Sequence, residues 1–181
     1  MTAGHAGRLL VASPLLVDPN FDLTVLLLLE HGPEGALGLI LNRPSPLAVS
    51  DALSDWADVS AEPAVLFAGG PVERDALIAL GRPDPGGEGG LVLGLHSVDL
   101  DSQPALVQAG GVSATRIFAG YAGWSPGQLD RELADEAWWV VDAEVDDVFT
   151  DEPDGLWTRV LRRAGGRLAL YAHYPDDLSI N

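Results

Sequence analysis

Cysteine is missing altogether from these 181 residues, which removes disulfides, thiolate metal ligands and cysteine nucleophiles from consideration. Lysine is missing too. All ten basic residues are arginines, set against 27 acidic ones, and the formal net charge is -17. A field of that sign repels phosphate backbones and anionic lipid surfaces, so direct nucleic-acid binding and membrane association are both disfavoured. Long apolar runs are also scarce. The most apolar, Leu23–Leu29, is far short of the roughly 20 residues a bilayer-spanning helix needs and reads as a buried strand. The apolar stretch Leu9–Val17 is broken by Ser13-Pro14 and runs into Asp18-Pro19-Asn20 without a small-residue cleavage site, so no export signal is legible. The expected location is cytoplasmic. No P-loop and no G-x-G-x-x-G occurs, and the histidines at 5, 31, 96 and 173 lack metal-ligand spacing. No cofactor and no metal is expected.

What is present is core material. Hydrophobic residues make up 47 % of the chain, enough for one domain of this length to bury about 70 % of its unfolded surface. A single domain over 1–181 is expected, with room for a small lobe within roughly 45–115. Short apolar runs bounded by turn residues predict strands at Arg8–Ala12, Leu23–Glu30 and Ala36–Leu41, the last two joined as a hairpin through Gly32-Pro33-Glu34-Gly35. Pro44 and Pro46 should end that third strand. Apolar positions 49, 52, 53 and 56 predict a helix over Leu47–Trp56. Further strands are predicted at Ala64–Ala68, Ala76–Leu80, Leu91–Leu95, Thr115–Ala122 and Ala137–Asp142, and a short helix at Gln103–Gln108. Ser125-Pro126-Gly127-Gln128 reads as a helix start, with Ser125 capping and Gln128 reaching back. Asp154 should cap a last helix to about Arg163, burying Leu156, Val160, Leu161 and Ala164. The sum is an α+β fold: a mixed, largely antiparallel β-sheet flanked by three to four helices, with a smaller α/β lobe.

Chemistry is harder to find. Gly123-Trp124-Ser125-Pro126-Gly127 matches the G-x-S-x-G nucleophile elbow, with His173 following in hydrolase order. The elbow's oxyanion hole uses the N–H of the residue after the serine, however, and Pro126 has none. Carboxylates crowd Asp142–Asp154, but a calcium loop starting at Asp142 would need Gly where Asp147 stands and Glu where Pro153 stands. A solvated acidic face is the expectation, open to a basic partner. Arg159, Arg163 and Arg167 form the one basic stripe, at a helix end whose dipole accounts for them. His31 borders the hairpin turn, where a hydrogen-bonding role is expected. Three glycine-containing turns remain as candidate ligand or partner surface: Asn42-Arg43, Gly69-Gly70, and Gly120-Tyr121 with Gly123-Trp124-Ser125. The last precedes a helix N-terminus, which favours an anion, while glycines of this kind also serve tight turns and close packing alone.

These same segments carry a resemblance. G-R-L-L-V-A-S-P with D-P-N-F at Gly7–Phe21, T-V-L-L-L-L-E-H at Thr24–His31, and G-A-L-G-L-I-L-N-R-P at Gly35–Pro44 resemble the bacterial YqgE/AlgH family. So do F-A-G-G-P-V at Phe67–Val72, G-Y-A-G-W-S-P-G-Q-L-D-R-E-L at Gly120–Leu133, Trp138-Trp139, Leu156-Trp157 and Asn181. The chain departs from the family in its Gly-rich insertion around 84–90 and in its tail at Asp177–Ile180. The resemblance implies a cytoplasmic α+β unit with a mixed sheet and a smaller lobe, of a family described as uncharacterised or as transcriptional regulators on genetic grounds, with no catalytic residues to transfer. The resulting expectation is a non-enzymatic binding or regulatory protein acting through a protein partner or a small anionic ligand. A hydrolase using Ser125 or a metal, and a DNA-binding regulator using Arg159–Arg167, are the alternatives. The oligomeric state is open.

Overall fold

The computed structural model describes residues 4–173, and the tail Asp177–Ile180 and Asn181 lie outside them. Nine strands form one mixed, largely antiparallel sheet. The hairpin is as its sequence predicts: β2 (Val25–Gly32) and β3 (Gly35–Ile40) pair antiparallel, with Gly32 opposite Gly35 across the two-residue turn. β1 (Arg8–Ala12) lies on the other side of β2 and pairs in turn with β9 (Trp138–Asp142). β8 (Val112–Trp124) is the organising strand. It pairs with β3, runs parallel to β5 (Val65–Ala68), and pairs antiparallel with β6 (Val72–Pro83).

One local expectation holds and three are corrected. β3 ends at Ile40, ahead of the prolines, and Pro44 and Pro46 themselves lie within β4 (Pro44–Ala48), a sheet edge paired with β5. An edge tolerates proline because one side of the strand has no ladder to feed. That strand takes Leu47 and Ala48, so the predicted helix shrinks to α1 (Val49–Ala52) and a 3-10 turn at Ser54–Trp56. Leu91–Leu95 is not a strand. Gly89 N–H bonds Gly94 O and Leu91 N–H bonds Leu95 O, closing a loop with a 3-10 turn at Val92–Gly94. The strand that pairs with β6 begins later, as β7 (His96–Val98). Asp154 lies inside a 3-10 turn, and α5 (Leu156–Ala164) starts after Gly155 with no side-chain cap. Its buried face is Leu156, Trp157, Val160 and Leu161, while Ala164 at the open end is exposed.

The remaining helices are α2 (Pro104–Ala109), α3 (Gln128–Ala134), α4 (Val145–Val148) and α6 (Gly166–Leu170). Period-2 alternation sorts the core by face. Leu39, Phe67, Phe118 and Leu80 point to the face covered by α4, α5 and α6. The opposite face is covered twice. Leu10, Leu26, Leu28, Trp124 and Trp138 pack beneath Leu129 of α3. Leu66, Ala79 and Ile117 pack beneath Val49, Trp56 and Val107 of the α1–α2 half. Between the two coverings Ala68 of β5 and Ala119 of β8 belong to neither cluster, and this uncovered strip of sheet positions the candidate site.

Candidate functional site

The bare strip exists because β8 changes partner there. Before the change Ile117 and Ala119 lie on this face of the sheet, and after it Ala122 and Trp124 do, so the alternation slips by one residue at Gly120. Gly120 absorbs the slip at φ 76, a left-handed conformation that glycine adopts at no steric cost. On the partner strand, Val72 pairs with Tyr121 and Leu77 with Ala119, so residues 73–76 face Gly120 alone. That is a wide bulge, with Glu73 held at φ 46. Bulges re-aim side chains and strained backbone clusters at functional sites. This one brings Arg74 to the rim of the strip.

The result is a cavity of about 220 Å³. Ile40, Ala68 and Ala119 floor it, and Asn20, Arg43, Gly70, Pro71 and Arg74 rim it. The two guanidiniums differ. Arg43 is tied down: Nη1 donates to Asn20 O at 2.6 Å, and Nη2 to Asp22 O at 3.0 Å and Pro19 O at 3.4 Å. These carbonyls satisfy its donors without neutralising its charge. Arg74 is exposed and makes no ion pair among the described residues. No hydroxyl, histidine or carboxylate side chain is among the groups lining this cavity.

The other residues singled out in the sequence have definite places. Asn42 pins β2 to β3, accepting Val25 N–H at 2.9 Å and donating to Leu23 O at 2.9 Å. Gly69, Gly70 and Gly120 allow a close backbone crossing, since a Cβ at 120 would sit 2.5 Å from Gly70 O. Tyr121 packs on the opposite face of the sheet. Gly123 has only ordinary neighbours: a Cβ there would find the Tyr121 ring nearest, at 3.7 Å. Trp124 is buried against Phe21 and Trp138, and its Nε1–H donates to Glu132 at 2.6 Å. Ser125 does not cap α3, which begins at Gln128 after Gly127 at φ 75. Gln128 does reach back, accepting Ser125 N–H at 3.0 Å and standing 3.3 Å from the Ser125 hydroxyl.

The carboxylates of the acidic segment form a solvated face, as expected, except at Asp147, which is buried and ion-paired to Arg163; at the exposed positions Arg8 meets Asp142, Arg82 meets Asp146 and Arg159 meets Glu152. A cleft of about 560 Å³ between Glu62 and this segment is thus already supplied with its own cations, Arg159 and Arg163. The same pairs consume the arginine stripe, Arg167 included, which meets Glu136. Among the described residues no cluster of histidines and carboxylates could hold a metal, and no helix is long and apolar enough to cross a membrane. His31 hydrogen-bonds as expected: Nδ1 accepts His5 N–H at 3.0 Å and Nε2 stands 3.3 Å from Asp130.

Sequence reasoning missed Arg74, Asn20 and the apolar floor. The only local sign was the charged triplet Glu73-Arg74-Asp75 at the head of a strand, which is commonplace on a surface.

Comparison with known proteins agrees with this fold. The AlgH-like family model matches residues 9–169. A UPF0301 protein of Streptomyces coelicolor is 52 % identical over 97 % of this chain and 94 % of its own. A relative from Mycobacterium marinum is 44 % identical over 98 % and 91 %. Among solved structures, a Corynebacterium diphtheriae protein superposes with TM-score 0.87 at 30 % identity, covering 94 % of this chain and 93 % of that one. The AlgH protein of Pseudomonas aeruginosa superposes at 0.67 and 29 % identity, over 100 % and 96 %. With the family model spanning nearly the whole sheet and relatives matching end to end, the chain belongs to the AlgH-like family.

Proposed function

We propose that this is a non-enzymatic cytoplasmic binding protein of regulatory role, which takes up a small anionic ligand in the strip between the two helical coverings. The observation that supports it is the convergence of Arg43 and Arg74 on one apolar-floored cavity in a chain of net charge -17. A concave apolar site with a few convergent polar groups is the usual form of a small-molecule site. The lining offers recognition but neither nucleophile nor general base, which favours binding over catalysis.

Arg43 also connects the site to the surface. It holds the 19–22 carbonyls, and the same loop exposes Leu15 and Val17. A ligand seated between Arg43 and Arg74 lies against that loop, and the surface the two form together is one that a protein partner can read. Regulation of this kind needs no direct contact with DNA.

Native mass spectrometry of the gently purified protein against its 19.0 kDa chain mass tests the reading. A retained small anion, or uptake from an added panel of small anions, should be lost in Arg74→Glu. A bare chain mass at millimolar concentrations of every anion in the panel overturns it.

A further inference from the structure

We infer that the ligand class of this site is a monocarboxylate with a short apolar body, an aryl group or a short acyl chain. This rests on the anion-binding reading above and narrows it. Volume comes first. The 220 Å³ cavity is many times the roughly 10–15 Å³ that admits a single water, so it has room for a molecule larger than acetate or inorganic phosphate. The floor comes second. Ile40, Ala68 and Ala119 offer no hydrogen bonds from their side chains, so a compact polyoxyanion would leave them wet. Each methylene laid on such a floor strengthens binding by about fourfold.

The charge count decides the head group. Arg43 already spends both terminal nitrogens on backbone carbonyls, so it contributes a field more than a fork. Arg74 is the guanidinium left with its donors unpaired among the described residues, and one planar fork matches one carboxylate. Glu73 and Asp75 flank Arg74 and are exposed with it. Their charges oppose a dianionic phosphate more than a monoanion. The bulge at residues 73–76 sets Arg74 at the rim, where it can swing over a seated ligand while Arg43 stays fixed.

The test is an NMR titration of the isotope-labelled full chain with hexanoate, benzoate, acetate, inorganic phosphate and, as a neutral control, hexanol. The expected result is saturable shifts at the Ala68, Gly70, Arg74 and Ala119 amides with hexanoate or benzoate. Their affinity should exceed that of acetate and phosphate at least tenfold, and fall at least tenfold in Arg74→Gln, a change at an exposed position that leaves the fold intact. Acetate or phosphate binding as tightly at the same amides overturns the monocarboxylate inference and leaves the anion-binding reading standing. Hexanol binding as tightly as hexanoate removes the role of charge, and silence from every probe at these amides removes the site; either result overturns both.

Discussion

Arg163 lays both terminal nitrogens on the Asp147 carboxylate, at 2.7 and 2.8 Å, and that carboxylate is nearly sealed from water, with 5 % of its side chain exposed. The same carboxylate accepts Glu144 N–H at 2.8 Å, so one acid fastens the start of α4 to the end of α5. The hydrogen bonds that Arg163 donates to Asp147 hold its pKa above the ordinary value, against the opposing effect of burial. Bidentate, charge-assisted pairs of this geometry are the strong ones.

Asp147→Ala should therefore be costly. Breaking a buried pair typically costs about 3–5 kcal/mol, but Arg163 is partly in water and keeps Glu144 and Asp142 O as partners. The expected loss is roughly 2 kcal/mol in urea unfolding. A loss below about 0.5 kcal/mol, the range of ordinary surface substitutions, would show that the pair carries no weight.

Gly120 and Gly123 stand three residues apart on one strand and should respond oppositely to alanine. At 120 the methyl meets Gly70 O at 2.5 Å on a left-handed backbone, so Gly120→Ala should cost about 3 kcal/mol or more. At 123 the nearest atom is 3.7 Å away, and Gly123→Ala should lie within about 1 kcal/mol of the parent, on the stabilising side. Equal melting temperatures for the two variants would contradict the bulge geometry.

The N-terminal arm should loosen in acid. His5 stacks on His31 with ring centroids 5.6 Å apart. Its pKa is lowered from 6.5 by burial first, then by His31 and Arg8, with Asp130 opposing. A depressed folded pKa means the neutral ring is the one that fits. Its contribution is complete above about pH 6.5 and is lost as pH falls through the lower folded value. Amide exchange at His5 and Gly7, corrected for intrinsic rate, should be faster at pH 5 than at pH 7.5, and His5→Asn should flatten that difference. An exchange profile unchanged by His5→Asn would rule the ring out as its source.

Arg116 is the largest fully buried side chain, 1 % exposed, and it has no carboxylate partner among the described residues. Burial lowers its pKa to about 10, with Asp151 and Glu62 pulling the other way, so it stays charged at neutral pH. It donates to Thr150 O at 3.0 Å and Glu62 O at 2.9 Å and lies 4.3 Å over the Phe67 ring. Arg116→Met keeps the bulk but strands two carbonyls, at about 1–3 kcal/mol each. Denaturant unfolding should show a loss of roughly 2–6 kcal/mol. A variant as stable as the parent would mean that water replaces the guanidinium at both carbonyls.

Much of the sheet was legible. The limits of β1, the β2–β3 hairpin and the strand character of β8 and β9 follow from runs and turns within a few residues, where local pattern and structure coincide. The misplaced elements failed for tertiary reasons. The predicted helix over Leu47–Trp56 loses its first two residues to an edge strand, because β5 offers Ala48 a ladder partner in Val65. Leu91–Leu95 is apolar enough for a strand, yet its own backbone closes on itself between glycines.

By itself the sequence determined the charge balance, the exclusion of thiol chemistry, the mixed and largely antiparallel sheet and the family. These depend on composition and on patterns read along the chain. Only the tertiary structure decided that residues 73–76 bulge opposite Gly120, that Arg43 and Arg74 meet over Ile40, Ala68 and Ala119, and that Asp147 is buried against Arg163. Each of these joins positions far apart in sequence, and the face a side chain takes depends on bulges and partner strands. A one-residue slip in pairing reverses that face, and nothing in the local sequence records the slip.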